Sequence, residues 1–154
     1  MSYKPIEDYG IIGDLHSVAL VGTDGSIDWC CLPNFDSPSI FASILDDGKG
    51  GFFKISGVGD ELTRQLYHPD TNVLMTYFSS SDGVALLEDF MPMDGVTGRD
   101  GGIHSPMIIR RLTGVRGTRR MRLECLPAFD YARDSHRVSL VDQVSGFDWL
   151  DPAA

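Results

Sequence analysis

No stretch of the 154-residue chain approaches eighteen consecutive apolar residues, so it holds no helix-length membrane span. The opening Met1-Ser2-Tyr3-Lys4-Pro5-Ile6-Glu7-Asp8 lacks the charged-then-apolar pattern of an export signal. No Asn-x-Ser/Thr acceptor occurs, which removes a second mark of secretion. Cysteine is scarce: Cys30, Cys31 and Cys125 are odd in number, and two are adjacent, which is no disulfide framework. Three reduced thiols, small apolar fillers where buried, are expected, in a cytoplasmic, reducing compartment. There is no Gly-x-Ser-x-Gly elbow, no Walker loop around the glycines at 48, 50 and 51, no Cys-x-x-Cys and no His-Glu-x-x-His. His16, His68, His104 and His136 stand alone. Nucleophilic catalysis, phosphate cradling and zinc therefore find no support, and no cofactor is expected.

What is present is ordinary for a globular domain: 42% hydrophobic and 23% charged residues, with length for one core. A single domain over 1–154 is expected. The net charge of -9 is uneven: residues 1–100 carry a balance of -11 and residues 101–154 one of +2. The acidic total argues against a nucleic-acid partner. The late group Arg110, Arg111, Arg116, Arg119, Arg120 and Arg122 reads as the solvated side of strands rather than a phosphate patch.

Period-two patterning dominates. Over 119–125 it sets Met121, Leu123 and Cys125 on one face and Arg120, Arg122 and Glu124 on the other, a half-buried antiparallel strand. Asp-Gly separates two apolar runs twice, at Asp24-Gly25 and Asp82-Gly83, and each is a hairpin signal. Further strands are expected at 51–56, 62–67, 106–113 and 136–142. A short helix is expected near 38–46, since Ser37 precedes Pro38 and Phe41, Ile44 and Leu45 share a helical face. Residues 92–105, rich in Gly, Asp and Pro, read as a loop. The fold class is all-β, an antiparallel sandwich.

The stretch "GSIDWCCLPNFDSPS" at 25–39 mixes carboxylates with rings, as sugar clefts do. Glycoside hydrolysis needs two carboxyl groups flanking one bond. Asp28 and Asp36 flank Trp29 and Phe35, Glu88 adjoins Asp89, and Asp14 follows Gly13. Each has a plainer use. Asp28 lies on a strand and faces solvent or a neighbouring loop. Asp36-Ser37-Pro38 is turn and cap chemistry. Glu88 and Asp89 point to opposite faces of one strand. No catalytic pair is expected.

Tyr9-Gly10-Ile11-Ile12-Gly13-Asp14-Leu15-His16-Ser17-Val18-Ala19-Leu20-Val21, running into "GTDGSIDWCCLPNFDSPSIFASIL", resembles the amino-terminal domain of glycoside hydrolase family 15, the bacterial and archaeal glucoamylase-like and trehalase-like proteins. "VLMTYFSSSDGVALLEDFMPM" at 73–93 and "IIRRLTGVRGTRRMRLECLPAFDYAR" at 108–133 agree in order. The resemblance implies a supersandwich-like β domain, incomplete at its C-terminal end, beside a helical barrel that carries the catalytic glutamates and hydrolyses α-glucosidic bonds with inversion. That barrel would be the partner, on polypeptide outside these residues, and this chain alone would be inactive. Trp29, Asn34, Phe35 and Asp36 would lie at the cleft rim or the interdomain face, with Trp29 and Phe35 packing rather than stacking on sugar. Asn34 stands where many relatives carry Arg. Two other readings are a free-standing carbohydrate-binding module and a homo-oligomer built through an open strand edge.

Overall fold

The computed structural model describes residues 3–93, 106–141 and 144–149, those from 138 onward by backbone alone. A 3-10 turn at Ile6–Asp8 leads into β1 (Tyr9–Gly13), β2 (Val18–Gly22) and β3 (Ser26–Cys31). Next come β4 (Ser39–Phe41), β5 (Phe52–Gly57) and β6 (Leu62–Tyr67). Then follow β7 (Leu74–Ser79), β8 (Gly83–Phe90), β9 (Ile109–Gly117) and β10 (Met121–Leu126). A short helical segment, α1 (Phe129–Ala132), precedes β11 (His136–Val141) and β12 (Val144–Trp149). One sheet runs β1-β2-β3-β5-β10, with β4 also on β3; a second runs β6-β7-β8-β9; β11 and β12 pair with each other, and every pairing is antiparallel.

Alternation makes the sheets face each other. Strand β8 buries every second residue from Gly83 to Asp89, and β2 buries Ala19 and Val21. Ile12, Val21, Ile27, Cys30 and Phe41 of the first sheet form one core cluster with Leu74 and Met91 from the second layer. Ile55 of β5 meets Phe78 and Leu87 in another. Two layers around one interior is a sandwich, as the patterning requires. Both Asp-Gly hairpins form where expected, joining β2 to β3 and β7 to β8. Gly25 takes φ +79°, and a Cβ there would collide with the Ile55 carbonyl, so this turn needs glycine.

Three expectations are corrected. Residues 38–46 are not a helix: Ser39 and Phe41 pair with Cys31 and Cys30, and a turn follows, with Ala42 N–H donating to Gly50 O at 2.6 Å. The strand wins because it buries Phe41 in the core and completes the end of β3. The short helical segment at 129–132 is no substitute for it, since Asp130 and Tyr131 have left-handed backbone angles.

Arg110 and Arg119 do not belong to a wet face. Arg110 points between the sheets, its side chain 3% exposed against an Asp89 that is fully buried. Its guanidinium donates to Asp89 Oδ1 at 2.7 Å and Oδ2 at 3.1 Å, and also to the Phe53 carbonyl at 2.6 Å and the Gly25 carbonyl at 2.7 Å. It also stacks 4.7 Å from the Phe53 ring. One side chain from the second sheet thus holds two backbone carbonyls of the first. Arg119 is likewise sequestered, bonded to Glu61 at 2.8 Å and Ser80 Oγ at 2.7 Å.

Leu123 is the third departure. It has the parity of Met121 and Cys125, which pack against the core, yet it is 60% exposed on the end strand of its sheet. Of the expected loop at 92–105, residues 94–105 lie outside the described residues. Glu88 and Asp89 do diverge as expected: Glu88 pairs with the exposed Arg111 at 2.7 Å while Asp89 faces inward.

Candidate functional site

Two places bring chemistry-bearing residues together. The first is a cleft of about 200 Å³ between the N-terminal segment and the β2–β3 hairpin, lined by Tyr3, Lys4, Tyr9, Asp24, Asp28, Lys54 and others. Asp28 is 6% exposed, turned neither to solvent nor to a loop but onto the N-terminal segment. Its Oδ2 accepts from Lys4 Nζ at 2.6 Å and from Tyr9 Oη at 2.8 Å. Lys4 Nζ also meets Asp24 Oδ1 at 3.0 Å and Ser26 Oγ at 2.5 Å. Lys54 Nζ takes Asp24 Oδ2 at 2.7 Å.

Two carboxylates therefore stand close together, as a glycosidase would need, but the ammonium of Lys4 fills the gap between them. Burial alone would raise the Asp24 carboxyl, yet hydrogen bonds from Lys54 and Lys4, and their charges, outweigh it and hold the group at about 2. An acid held so low has no proton to give a leaving group near neutrality. Burial and the Asp28 carboxylate push the Tyr9 phenol well up, so it stays a donor. The cleft is a neutralised strut that ties the N-terminal segment to the sheet.

The second place is the corner at the C-terminal end of β3. The Leu32–Pro33 peptide is cis, and residues 34–37 turn back: Ser37 N–H donates to Asn34 O at 3.1 Å and Asn34 N–H to Ser37 Oγ at 3.0 Å. Of the expected Asp36-Ser37 turn chemistry, Ser37 makes these bonds. Phe35 N–H donates to His16 O at 2.9 Å, which docks the turn on the β1–β2 loop. That loop carries Leu15 at φ +75°. Asn34, Phe35 and Asp36 are all exposed, Phe35 to 58%, so this ring does not fill the core. Trp29 is half-buried, 6.1 Å from the Tyr131 ring.

Tyr131 belongs to the feature that sequence reading missed. Asp130, Tyr131 and Ala132 have φ of +48°, +57° and +62°, three successive non-glycine residues in the left-handed region. Each such residue costs about 1–3 kcal/mol unless its surroundings hold it. Here they do: Tyr131 N–H donates to Ser39 Oγ at 2.9 Å, Ala128 N–H to Ile40 O at 2.9 Å, and Arg133 to Asp130 at 2.7 Å. An apolar cavity of about 340 Å³ opens beneath, between Leu32, Pro38 and Ile40 on one side and Phe129 on the other. No glycine or proline marks 129–132, so the strain had no local signal; only Asp130 is a residue type that tolerates this region.

Ser17 Oγ donates to the Cys31 carbonyl. Burial pushes the thiols up, Cys30 to about 12 and Cys125 to about 11, so they are protonated and unreactive at neutral pH. Among the described residues no three His, Cys, Asp or Glu side chains gather as metal ligands would, and no helix is long and apolar enough to cross a membrane.

The chain is 38% identical over 135 residues to a trehalase of Thermoplasma volcanium, an alignment covering 86% of this chain and 21% of that protein. It is 33% identical over 156 residues to a trehalase of Mycolicibacterium smegmatis, covering 94% and 23%. Against trehalase 1 of Sulfolobus acidocaldarius it is 34% identical over 154 residues, covering 100% and 24%. The chain thus spans about a fifth to a quarter of the length of these relatives. No solved structure matches. The family model for the amino-terminal domain of trehalase-like proteins matches residues 1–148, and the chain belongs to that family.

Proposed function

We propose that this chain is the accessory N-terminal domain of a family 15 glycoside hydrolase of the trehalase or glucoamylase type, bracing a helical catalytic barrel that lies outside these residues. One observation carries the reading. The trehalase-like N-terminal match fills 1–148, whereas the chain spans only a fifth to a quarter of each relative. The acids of the cleft and the core support it too: Asp24 and Asp28 are paired with Lys4 and Lys54, and Asp89 with Arg110. Hydrolysis of an α-glucosidic bond then falls to residues outside 1–154.

The corner of Trp29, Asn34, Phe35 and Asp36 is the face turned to that barrel and to the rim of its cleft. Strained backbone held by its neighbours is characteristic of functional edges, and the left-handed run at 130–132 lies against Trp29. An exposed Phe35, on the turn between the cavity-lining Leu32 and Pro38, suits an interdomain contact. A chimera tests this. The matched N-terminal fifth of the Thermoplasma volcanium trehalase is replaced by this chain, and trehalose hydrolysis is measured. An active chimera, weakened by Phe35→Ala and by Asp36→Asn, supports the reading. An active chimera indifferent to both substitutions removes the corner from the interface, and a folded but inactive one removes the bracing role.

A further inference from the structure

The sandwich is closed on one side and open on the other. On the closed side Tyr67 of β6 reaches across to β1, its hydroxyl accepting from Ile11 N–H and donating to Ile11 O, both at 2.8 Å. On the open side β9 and β10 end their sheets, and no other strand pairs with either edge among the described residues. Leu112 of β9 lies opposite the buried Leu87, and Leu123 of β10 lies opposite the buried Ile55. Ile55 and Leu87 share one core cluster, so Leu112 and Leu123 stand at its mouth, 42% and 60% exposed. A free edge with apolar residues beside it is a template for another strand.

The order of residues on β10 says which strand. Arg122, Leu123 and Glu124 are charge-complementary to themselves when the strand is reversed about Leu123. We infer that two copies of the chain associate through β10, pairing antiparallel about a two-fold axis at Leu123 and running perpendicular to the sheet. That axis sets Arg122 opposite Glu124 of the second copy and Glu124 opposite its Arg122, two complementary pairs on the outer face. It sets Leu123 against its own symmetry mate on the inner face, where the two open core mouths join. Any shift of register by one residue sends Leu123 to the wrong side and breaks both charge pairs. The inference does not depend on the proposed place beside a catalytic barrel.

Charge reversal tests it on the whole chain. Wild type should pass from monomer to dimer in sedimentation velocity as concentration rises from micromolar to hundreds of micromolar. Arg122→Glu and Glu124→Arg each place like charges opposite one another twice, and each should raise the dimer Kd at least about tenfold, some 1.4 kcal/mol. Mixed in equal amounts, the two variants restore both complementary pairs and should form a heterodimer that neither forms with itself. Thermal melts in dilute solution establish that each variant is folded. A wild type that stays monomeric overturns the inference. So do variants that dimerise as wild type does, or a mixture of folded variants that does not associate.

Discussion

Replacing Arg110 by Met tests how the two layers are held. The substitution keeps an unbranched apolar stem but removes the guanidinium. It leaves the fully buried Asp89 carboxylate without its partner and strips hydrogen bonds from the Phe53 and Gly25 carbonyls. Breaking a buried ion pair on one side costs about 3–5 kcal/mol. Against a total stability of about 5–15 kcal/mol, that is a large share. For a chain of this size each kcal/mol moves the melting temperature by about 2–4 °C, so a drop of roughly 6–20 °C is expected. In urea, with a slope of about 2 kcal/mol per molar, the midpoint should fall by about 2 M.

The paired change Arg110→Met with Asp89→Leu should recover at least half of that loss. Burial pushes the Asp89 carboxyl up beyond what Arg110 pulls it down, a sign that ionising it inside the sandwich is expensive. Removing both charges removes that expense, and such replacements are often neutral. Urea unfolding of the four proteins in the cycle gives the coupling directly. A loss under about 1 kcal/mol for Arg110→Met would refute the clamp, since that is the size of an exposed pair. A double variant no better than the single one would show that the carbonyl contacts, not the ion pair, carry the effect.

Other consequences are simpler to read. Asp24 has a folded-state value of about 2 against an ordinary 3.8, so its contribution is fully present above about 4 and is lost as pH falls toward 2. Urea midpoints measured across that window should fall more steeply for wild type than for Asp24→Asn, and parallel slopes would contradict the Lys4 and Lys54 pairing. Native protein at pH 8 should leave Cys30 and Cys31 unreacted with a thiol-specific disulfide reagent, and urea should release them; rapid native labelling of either would show that the β3 interior is open. Phe35→Ala should leave the stability of the chain within about 0.5 kcal/mol, because the ring is exposed. A larger loss in thermal melts would place Phe35 in a contact that its exposure denies.

Most of the fold was legible because it rests on local rules. The period-two runs and both Asp-Gly turns specify strands and hairpins within a few residues of themselves, and β2, β3, β7, β8 and β10 follow. Signals that depend on a distant partner were not legible. Ser37-Pro38 is a sound helix start, but Phe41 gains more by pairing with Cys30 inside the core. Arg110 looks like its neighbours in sequence, and only the apposition of β9 on β5 reveals it as an inter-sheet clamp. Alternation gives Leu123 its face, but not its exposure on the end strand of the sheet. At the corner site, Trp29, Asn34, Phe35 and Asp36 were visible as a cluster. The strained run at 130–132 that lies against Trp29 was not, since Tyr131 hydrogen-bonds across 92 positions to Ser39 and stands still further along the chain from Trp29.

The most direct measurement is of turnover by the chain alone, on trehalose, maltose and soluble starch, at protein concentrations high enough to see a slow enzyme. If these strands are a brace whose chemistry belongs to other polypeptide, no glucose is released above the buffer rate from any of the three. Sustained release that disappears in Asp28→Asn, in a variant still folded by its melting curve, would mean that the Lys4-filled cleft is an active site and that the account is wrong.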